Sequence, residues 1–393
     1  MPCTPITIEA CERVRVKYRI GESLRVVHRF QVQGAWYVIS ARTFRNGGSL
    51  EAYRRGTGGA VACGPLRPIV HDAALDTVFW TFPNDRKITN LAVLAAGSRP
   101  LADLLGLPVH RIHLVAYSPE RAATAQCLDA DSRVVAYAKV YARDEAARSY
   151  AVHASLARSL AAVCDSVRIP QAIAYSEAHR TLVLEPITGR CLADLDGAQL
   201  QRASQRLGIA LARLHTARPP DARPSHHPGL ERLQKAARLI GQVRPDVADL
   251  ARDLATDLVS QWEAPDDSPT CLHGDMNFRN WIINEEYVGI VDLDAVSVGP
   301  AAADLGGLLS GFRYRHRVGR LSGVLERQSV SAFLAGYASV RALPAKRAVR
   351  WHTAAALLTA ALRAVTWIRS GPLQYLDVLL SDASAILMGN GDV

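Results

Sequence analysis

The sequence predicts an α+β chain, on three observations. Strand-like alternation dominates residues 14–186, helical periodicity dominates from Gln199 onward, and a hairpin flanked by carboxylates lies among the helices. At 393 residues, 49% of them hydrophobic, the chain is long enough for two or three domains with substantial cores.

Val14, Val16, Tyr18 and Ile20 alternate, followed by Leu24 and Val26 and then Tyr37 and Ile39, with turns at Gly21-Glu22 and Gly34-Ala35. This predicts about three antiparallel strands. A glycine loop at residues 46–48, a short helix over 50–55 and an irregular Gly/Pro stretch over 56–68 come next. Residues 77–82 read as a strand, and 91–105 as a helix interrupted between Gly97 and Pro100. From Leu114 the same order restarts. Strands are expected at 114–117, 124–128 and 134–141, a helix from about Glu145 to Ala162, and a strand at 181–186. Residues 16–19 match 114–117 in kind, 37–42 match 134–139, and 79–83 match 182–186. The pattern reads as a duplication whose first copy carries Arg42 where the second carries Lys139. Two unrelated sheets with similar turns would give the same signal.

Residues 199–215 form an amphipathic helix with Leu200, Ala203, Leu207, Leu211 and Leu214 on one face. Further helices are expected over 230–240, 247–262, 330–337 and 347–368, and loops at 219–228 and 265–269. His215, His226, His227 and His352 show no metal-ligand spacing and read as surface or core histidines.

The chemistry concentrates between Cys271 and Asp294. Asp275 precedes Asn280 by five positions; Trp281-Ile282-Ile283 and the run from Val288 to Val291 flank the polar turn Asn284-Glu285-Glu286. That hairpin would fold Asn280 and Asp292 back to one end, beside Asp275. Phosphoryl transfer needs such a set: a carboxylate to accept the hydroxyl proton, and an amide oxygen with a second carboxylate to hold Mg2+. The spacing is that of H-R-D-x-x-x-x-N in protein kinases, with Gly274 in place of the Arg and Asp292-Leu293-Asp294 in place of D-F-G. Turn residues alone would also favour Asp and Asn, though not at this spacing.

With His-Gly-Asp-x-x-x-x-Asn at 273–280, Asp292-Leu293-Asp294, and Gly299-Pro300-Ala301-Ala302-Ala303-Asp304-Leu305, the chain resembles the aminoglycoside phosphotransferase and choline kinase family. The resemblance implies a protein-kinase-like bilobal fold with an extra N-terminal β-rich region. The expected domains are 1–105, the extra β-rich domain; 106–188, the nucleotide-binding N-lobe; and 189–393, the helical C-lobe. It implies ATP and Mg2+ as cofactors and, as acceptor, a hydroxyl of a small molecule: a sugar, an aminoglycoside or an amino alcohol. Asp275 would be the base, Asn280 and Asp292 the metal ligands, with Asp294 assisting. Lys139 would clamp the phosphates, unless it is an edge-strand lysine with its head in solvent. Glu145, the one acid on the following helix, is the candidate partner of Lys139, although the family places its Glu deeper. Glu185 and Ile187 would meet adenine through their backbone. His273 would shape the loop, and Asp304 would hold its backbone. A strict glycine-rich phosphate loop is missing from Tyr117-Ser118-Pro119-Glu120-Arg121. The rival reading is a catalytically weak pseudokinase that binds a nucleotide or a partner.

Composition narrows the partners. The net charge of +9 comes almost wholly from arginine, since only five of the 46 Lys and Arg residues are lysine. No dense basic run suggests nucleic acid, and the field favours anionic nucleotides. Beyond Gly299 ten arginines face five acids, which favours a neutral or anionic acceptor over a polycationic one. Seven scattered cysteines without a CxxC pair argue against disulfides and zinc. The N-terminus lacks a signal-peptide pattern, and the apolar stretch at 353–362 is too short for a bilayer, so a cytoplasmic protein with no membrane partner is expected.

Overall fold

The computed structural model describes residues 6–95, 99–106, 109–217, 229–263, 268–368 and 372–391. The expected loop at 219–228, most of that at 265–269, and Gly97, His226 and His227 lie outside the described residues. The chain divides into two compact units. One comprises Met1–Tyr150, Ala172–Pro186 and Thr366–Ile368, the other Ala151–Gln171, Ile187–Val365 and Arg369–Val393. Among the described residues no helix is long and apolar enough to cross a membrane.

The first unit carries two antiparallel sheets of five strands. β1 (Ala10–Arg19), β2 (Ser23–Val32), β3 (Ala35–Phe44), β4 (Ile69–Asp72) and β5 (Thr77–Thr81) run in the order β1-β2-β3-β5-β4, with α1 (Ser49–Thr57) following β3. A 3-10 turn at Leu91–Leu94 and α2 (Arg99–Leu105) stand where one interrupted helix was expected. β6 (Arg111–Ser118), β7 (Ala122–Leu128) and β8 (Val134–Tyr141) open the second sheet. α3 (Ala146–Ala161) and the two-residue β9 (Val167–Arg168) come next, and β10 (Ala172–Ser176) and β11 (Thr181–Leu184) complete it, in the order β10-β11-β8-β7-β6.

The two sheets follow one plan. Thr77 and Val78 face Thr43 and Arg42, while Thr181 and Leu182 face Val140 and Lys139. The opening strand of each sheet carries a bulge, between Arg13 and Arg15 and between Leu114 and Ala116. α1 opens five residues after Phe44, and α3 five residues after Tyr141. Arg42 thus holds the register position of Lys139. Val78 holds that of Leu182, so the match read from the sequence at this strand is one residue out. β4 and β10 were not anticipated. β4 begins just beyond the Gly/Pro stretch, and β10 alternates half-buried and exposed positions, so neither gives a clear apolar signal.

Each copy packs its own small core, Ala52, Ile69, Val78 and Trp80 in the first and Tyr141, Ala146 and Leu182 in the second. A larger core joins them. Ala123, Ala125, Ala136, Ala138 and Val140 on one face of the second sheet pack with Val27, Ile88, Leu91 and Leu101. The small alanines present a flat face that permits close packing.

The second unit has a four-stranded sheet in which β12 (Arg190–Cys191), β14 (Trp281–Ile283), β15 (Val288–Ile290) and β9 are neighbours, and a ladder of β13 (Thr270–Leu272) with β16 (Ser297–Gly299). Its helices are α4 (Gly197–Thr216), α5 (Leu230–Val243), α6 (Ala248–Ser260), α7 (Ala301–Arg317), α8 (Gly323–Ala338), α9 (Lys346–Trp367), which ends in the first unit, and α10 (Leu376–Leu387). α4 and α8 touch backbone to backbone. A Cβ on Gly208 would lie 2.1 Å from the Phe333 carbonyl, and one on Gly336 2.0 Å from that of Gln205. Leu207, Leu211, Phe312, Phe333 and Tyr337 fill the core around this crossing.

One carboxylate ties the β6–β7 turn to the first sheet. Glu120, at φ 65° in that turn, receives two bonds of 2.8 Å from Arg86, one of 2.6 Å from Arg42, and an ion pair of 3.1 Å from Arg25. Its amide donates to Asp85, which also accepts from the Tyr117 hydroxyl. Burial opposes ionisation of Glu120, but the bonds from Arg86 and Arg42 and the charge of Arg25 outweigh it and hold the group down at about 2. A lowered folded value means that the stabilisation is present above the ordinary glutamate range and lost as pH falls toward that value. Glu120→Gln should therefore cost about 3 kcal/mol at neutral pH, the usual loss when one partner leaves a buried ion pair. Chemical denaturation from pH 7 down to pH 3 checks this: the gap to wild type should narrow steadily with acid.

Candidate active site

β13 delivers the chain to His273, and the loop that follows is shaped by a glycine. Gly274 has φ +76°, and a Cβ there would lie 2.4 Å from the Ala295 carbonyl. The Arg of the kinase pattern would not fit here.

The loop hangs from a buried carboxylate. Asp304, in the first turn of α7, accepts from the His273 amide at 2.7 Å on one oxygen and from the Gly274 amide at 3.0 Å on the other. The His215 ring, from the last turn of α4, is 3.3 Å from the first of these oxygens, and its other nitrogen is 2.8 Å from the Tyr337 hydroxyl. Asp304 is 2% exposed. Burial pushes its proton affinity up, yet the bond and charge of His215, with His273, leave it below the ordinary carboxylate range.

His273 is itself a tie within the loop. Its Nδ1 accepts from the Asp275 amide at 3.2 Å, so Nε2 carries the proton and donates to the Val291 carbonyl at 3.0 Å. The ring stacks on Trp281. The β14–β15 hairpin pairs Trp281 with Ile290, and the Val291 amide donates to the Asn280 carbonyl at 2.9 Å. Asn280 therefore sits one step from Asp292. Its side-chain NH2 donates to the Asp275 carbonyl at 3.0 Å, which leaves its Oδ1 as the oxygen available to a cation. Asp292 adopts φ 60°, ψ 64° past the end of β15 and is exposed, while Asp294 is half-buried in the 3-10 turn Leu293–Ala295. Asp275, Asn280, Asp292 and Asp294 are thus drawn to one end of one hairpin.

Among the described residues no three His, Cys, Asp or Glu side chains gather as a metal cage. Mg2+ requires none, since it binds through one or two carboxylates plus substrate phosphates. A carboxylate beside an amide oxygen whose nitrogen is already engaged fits that hard cation.

The remaining expected residues are distributed along the chain. Lys139 lies on β8 in the first unit, half-buried, with its ammonium 5.4 Å from the centre of the Tyr141 ring. Glu145 is exposed and precedes α3, and it lines a basic cavity of the first unit together with Lys17 and Arg121. Glu185 belongs to the first unit and Ile187 to the second, on either side of the point where the chain passes between them. Two residues of consequence escape sequence reasoning. His215 ends an amphipathic helix without any motif, and Glu120 looks like an ordinary turn acid; only the spatial partners of each reveal a role.

The phosphotransferase enzyme family matches residues 124–369 of the chain. Among solved structures the chain is similar to spectinomycin phosphotransferase APH(9)-Ia, with 14% identity and a TM-score of 0.50 over 75% of this chain and 93% of that one. It is similar to amicoumacin kinase hAmiN, with 12% identity and a TM-score of 0.51 over 76% and 92%. It is also similar to a thermostable mutant of aminoglycoside phosphotransferase APH(4)-Ia, with 12% identity and a TM-score of 0.52 over 75% and 99%. At these identities the likeness is one of fold. No curated protein matches the chain.

Asp304→Asn would replace one of two acceptors by an NH2 facing a backbone donor. The variant should lose about 2 kcal/mol of stability, as expected for a buried group left unsatisfied. Hydrogen exchange at the His273 and Gly274 amides should accelerate more than at the β14–β15 hairpin; uniform acceleration would mean that Asp304 serves the whole unit and not this loop.

Proposed function

The chain belongs to the phosphotransferase enzyme family, and from that premise we propose that it moves the γ-phosphoryl group of ATP to a hydroxyl of a small molecule. The observation that carries this reading is the convergence of Asp275, Asn280, Asp292 and Asp294 on one end of the hairpin, with Asp304 holding the loop between them. Asp275 accepts the proton of the attacking hydroxyl. Asn280 Oδ1 and Asp292 hold Mg2+, with Asp294 assisting; when bound, the ion neutralises charge on the phosphates. Lys139 steadies the phosphates, and the backbone at Glu185 and Ile187 receives the adenine. The arginine excess beyond Gly299 supports an acceptor that is neutral or anionic. A nucleotide-binding protein without transfer is the second reading, favoured by the exposed position of Glu145.

Two substitutions separate these roles. Asp275→Asn should slow transfer roughly 10²–10⁴-fold, the usual contribution of a positioned base, with ATP affinity unchanged. Steady-state kinetics and nucleotide titration together check it; full turnover in the folded variant would remove Asp275 from the chemistry. Asp292→Ala should abolish the Mg2+-dependent part of nucleotide binding. If titration with and without Mg2+ still gives wild-type behaviour, Asp294 is the principal ligand.

A further inference from the structure

The first unit encloses a cavity of about 460 Å³ whose lining includes Glu145 but none of Lys139, Asp275, Asn280, Asp292 and Asp294. Its walls come from β1, β2, the β6–β7 turn and the residues between β8 and α3. Lys17, Arg19, Arg25, Lys87, Arg121 and Arg143 line it, against two carboxylates. Of these two, Glu120 is already committed to Arg25, Arg42 and Arg86. Glu145 is exposed, so the cavity keeps a large excess of positive charge.

The strand register makes this excess costly. Arg15, Lys17 and Arg19 fall on one face of β1, because alternate residues of a strand point the same way. Lys17 stands directly opposite Arg25 on β2, and Arg25 directly opposite Arg42 on β3. Like charges facing each other across strands are destabilising. Glu120 relieves Arg25 and Arg42. Among the described residues no ion pair relieves Lys17, whose proton affinity is lowered by burial and then by the charges of Arg15, Arg25, Arg19 and Arg121. The Arg25 Nε is buried and has no hydrogen-bond partner.

We propose that this cavity is a binding site for a small phosphate-bearing polyanion, held by Lys17, Arg25 and Arg121. The volume suits a small molecule. A single carboxylate would offset one cation, whereas a phosphoryl group carries nearly two charges and three acceptor oxygens. The exposed Arg121 fork matches those oxygens two at a time, the Lys17 ammonium supplies a point charge, and Arg25, whose terminal nitrogens meet Pro119 and Glu120, adds its charge. The proposal does not depend on the assignment of Asp275 or its neighbours.

Inorganic pyrophosphate is the probe, titrated by calorimetry into nucleotide-free wild type, Lys139→Ala and Lys17→Gln. Wild type and Lys139→Ala should bind it alike, and Lys17→Gln at least tenfold more weakly. Lys17→Gln should also melt at a higher temperature than wild type in anion-free buffer, since the repulsion is gone, and pyrophosphate should raise the melting temperatures of wild type and Lys139→Ala more than that of Lys17→Gln. Arg121→Gln, at an exposed side chain, gives the same loss of binding without a folding question. A hexose phosphate titrated into the same variants distinguishes the source of the phosphoryl group: the same order of affinities as for pyrophosphate means that an organic phosphate ester fits the site, and binding of pyrophosphate alone means that the site takes the inorganic ion. Pyrophosphate binding that survives in both Lys17→Gln and Arg121→Gln but disappears in Lys139→Ala would overturn the proposal, as would no binding to wild type.

Discussion

A carboxylate sealed from water stays ionised only when donors meet both its oxygens, and Asp304 meets that condition with the backbone of the loop it supports. The constraint works in both directions. The His273 and Gly274 amides satisfy the acid, and the acid fixes the path of the chain into Asp275. His215 and Tyr337 extend the same network from α4 and α8, whose glycine contact allows no slack. The loop is therefore determined by packing some distance along the chain from the residues that face the solvent. Groups that must hold a reacting hydroxyl and a cation need this kind of support, because small displacements weaken positioned chemistry.

The first unit uses a second buried carboxylate differently. In the second sheet, the β6–β7 turn carries no glycine. Here the turn carries Glu120, bound by three arginines of the N-terminal region. Arg42 is one of them, at the register position that Lys139 holds in the second copy. The two sheets share a register plan, and Arg42 meets the turn of the second sheet, which is held by ion pairs.

Much of this was legible in the sequence where the signal is local. The Asp275-to-Asn280 spacing, the polar turn at Asn284-Glu285-Glu286 and the apolar runs on either side specify the hairpin, since each depends on neighbours a few residues away. The repeat of strand, turn and helix also came through, because alternation survives divergence better than identity. What stayed hidden depends on distant partners. Nothing near Glu120 announces three arginines, two of them some eighty or more residues earlier in the chain. Gly274 could be noticed as a departure from the kinase pattern, but its cause is the Ala295 carbonyl. β4 and β10 lacked apolar alternation, and Glu145 could not be placed until the start of α3 was known.

The central claim is that the cluster at the end of the β14–β15 hairpin serves phosphoryl transfer to a small hydroxyl compound. The most direct measurement supplies ATP labelled in its γ-phosphoryl group, with Mg2+ and a panel of neutral and anionic hydroxylated metabolites, and follows the label by mass spectrometry. The account predicts label on an acceptor hydroxyl with wild type and none with Asp275→Asn. Tight nucleotide binding with no label leaving ATP, across neutral, anionic and cationic acceptors alike, would contradict it.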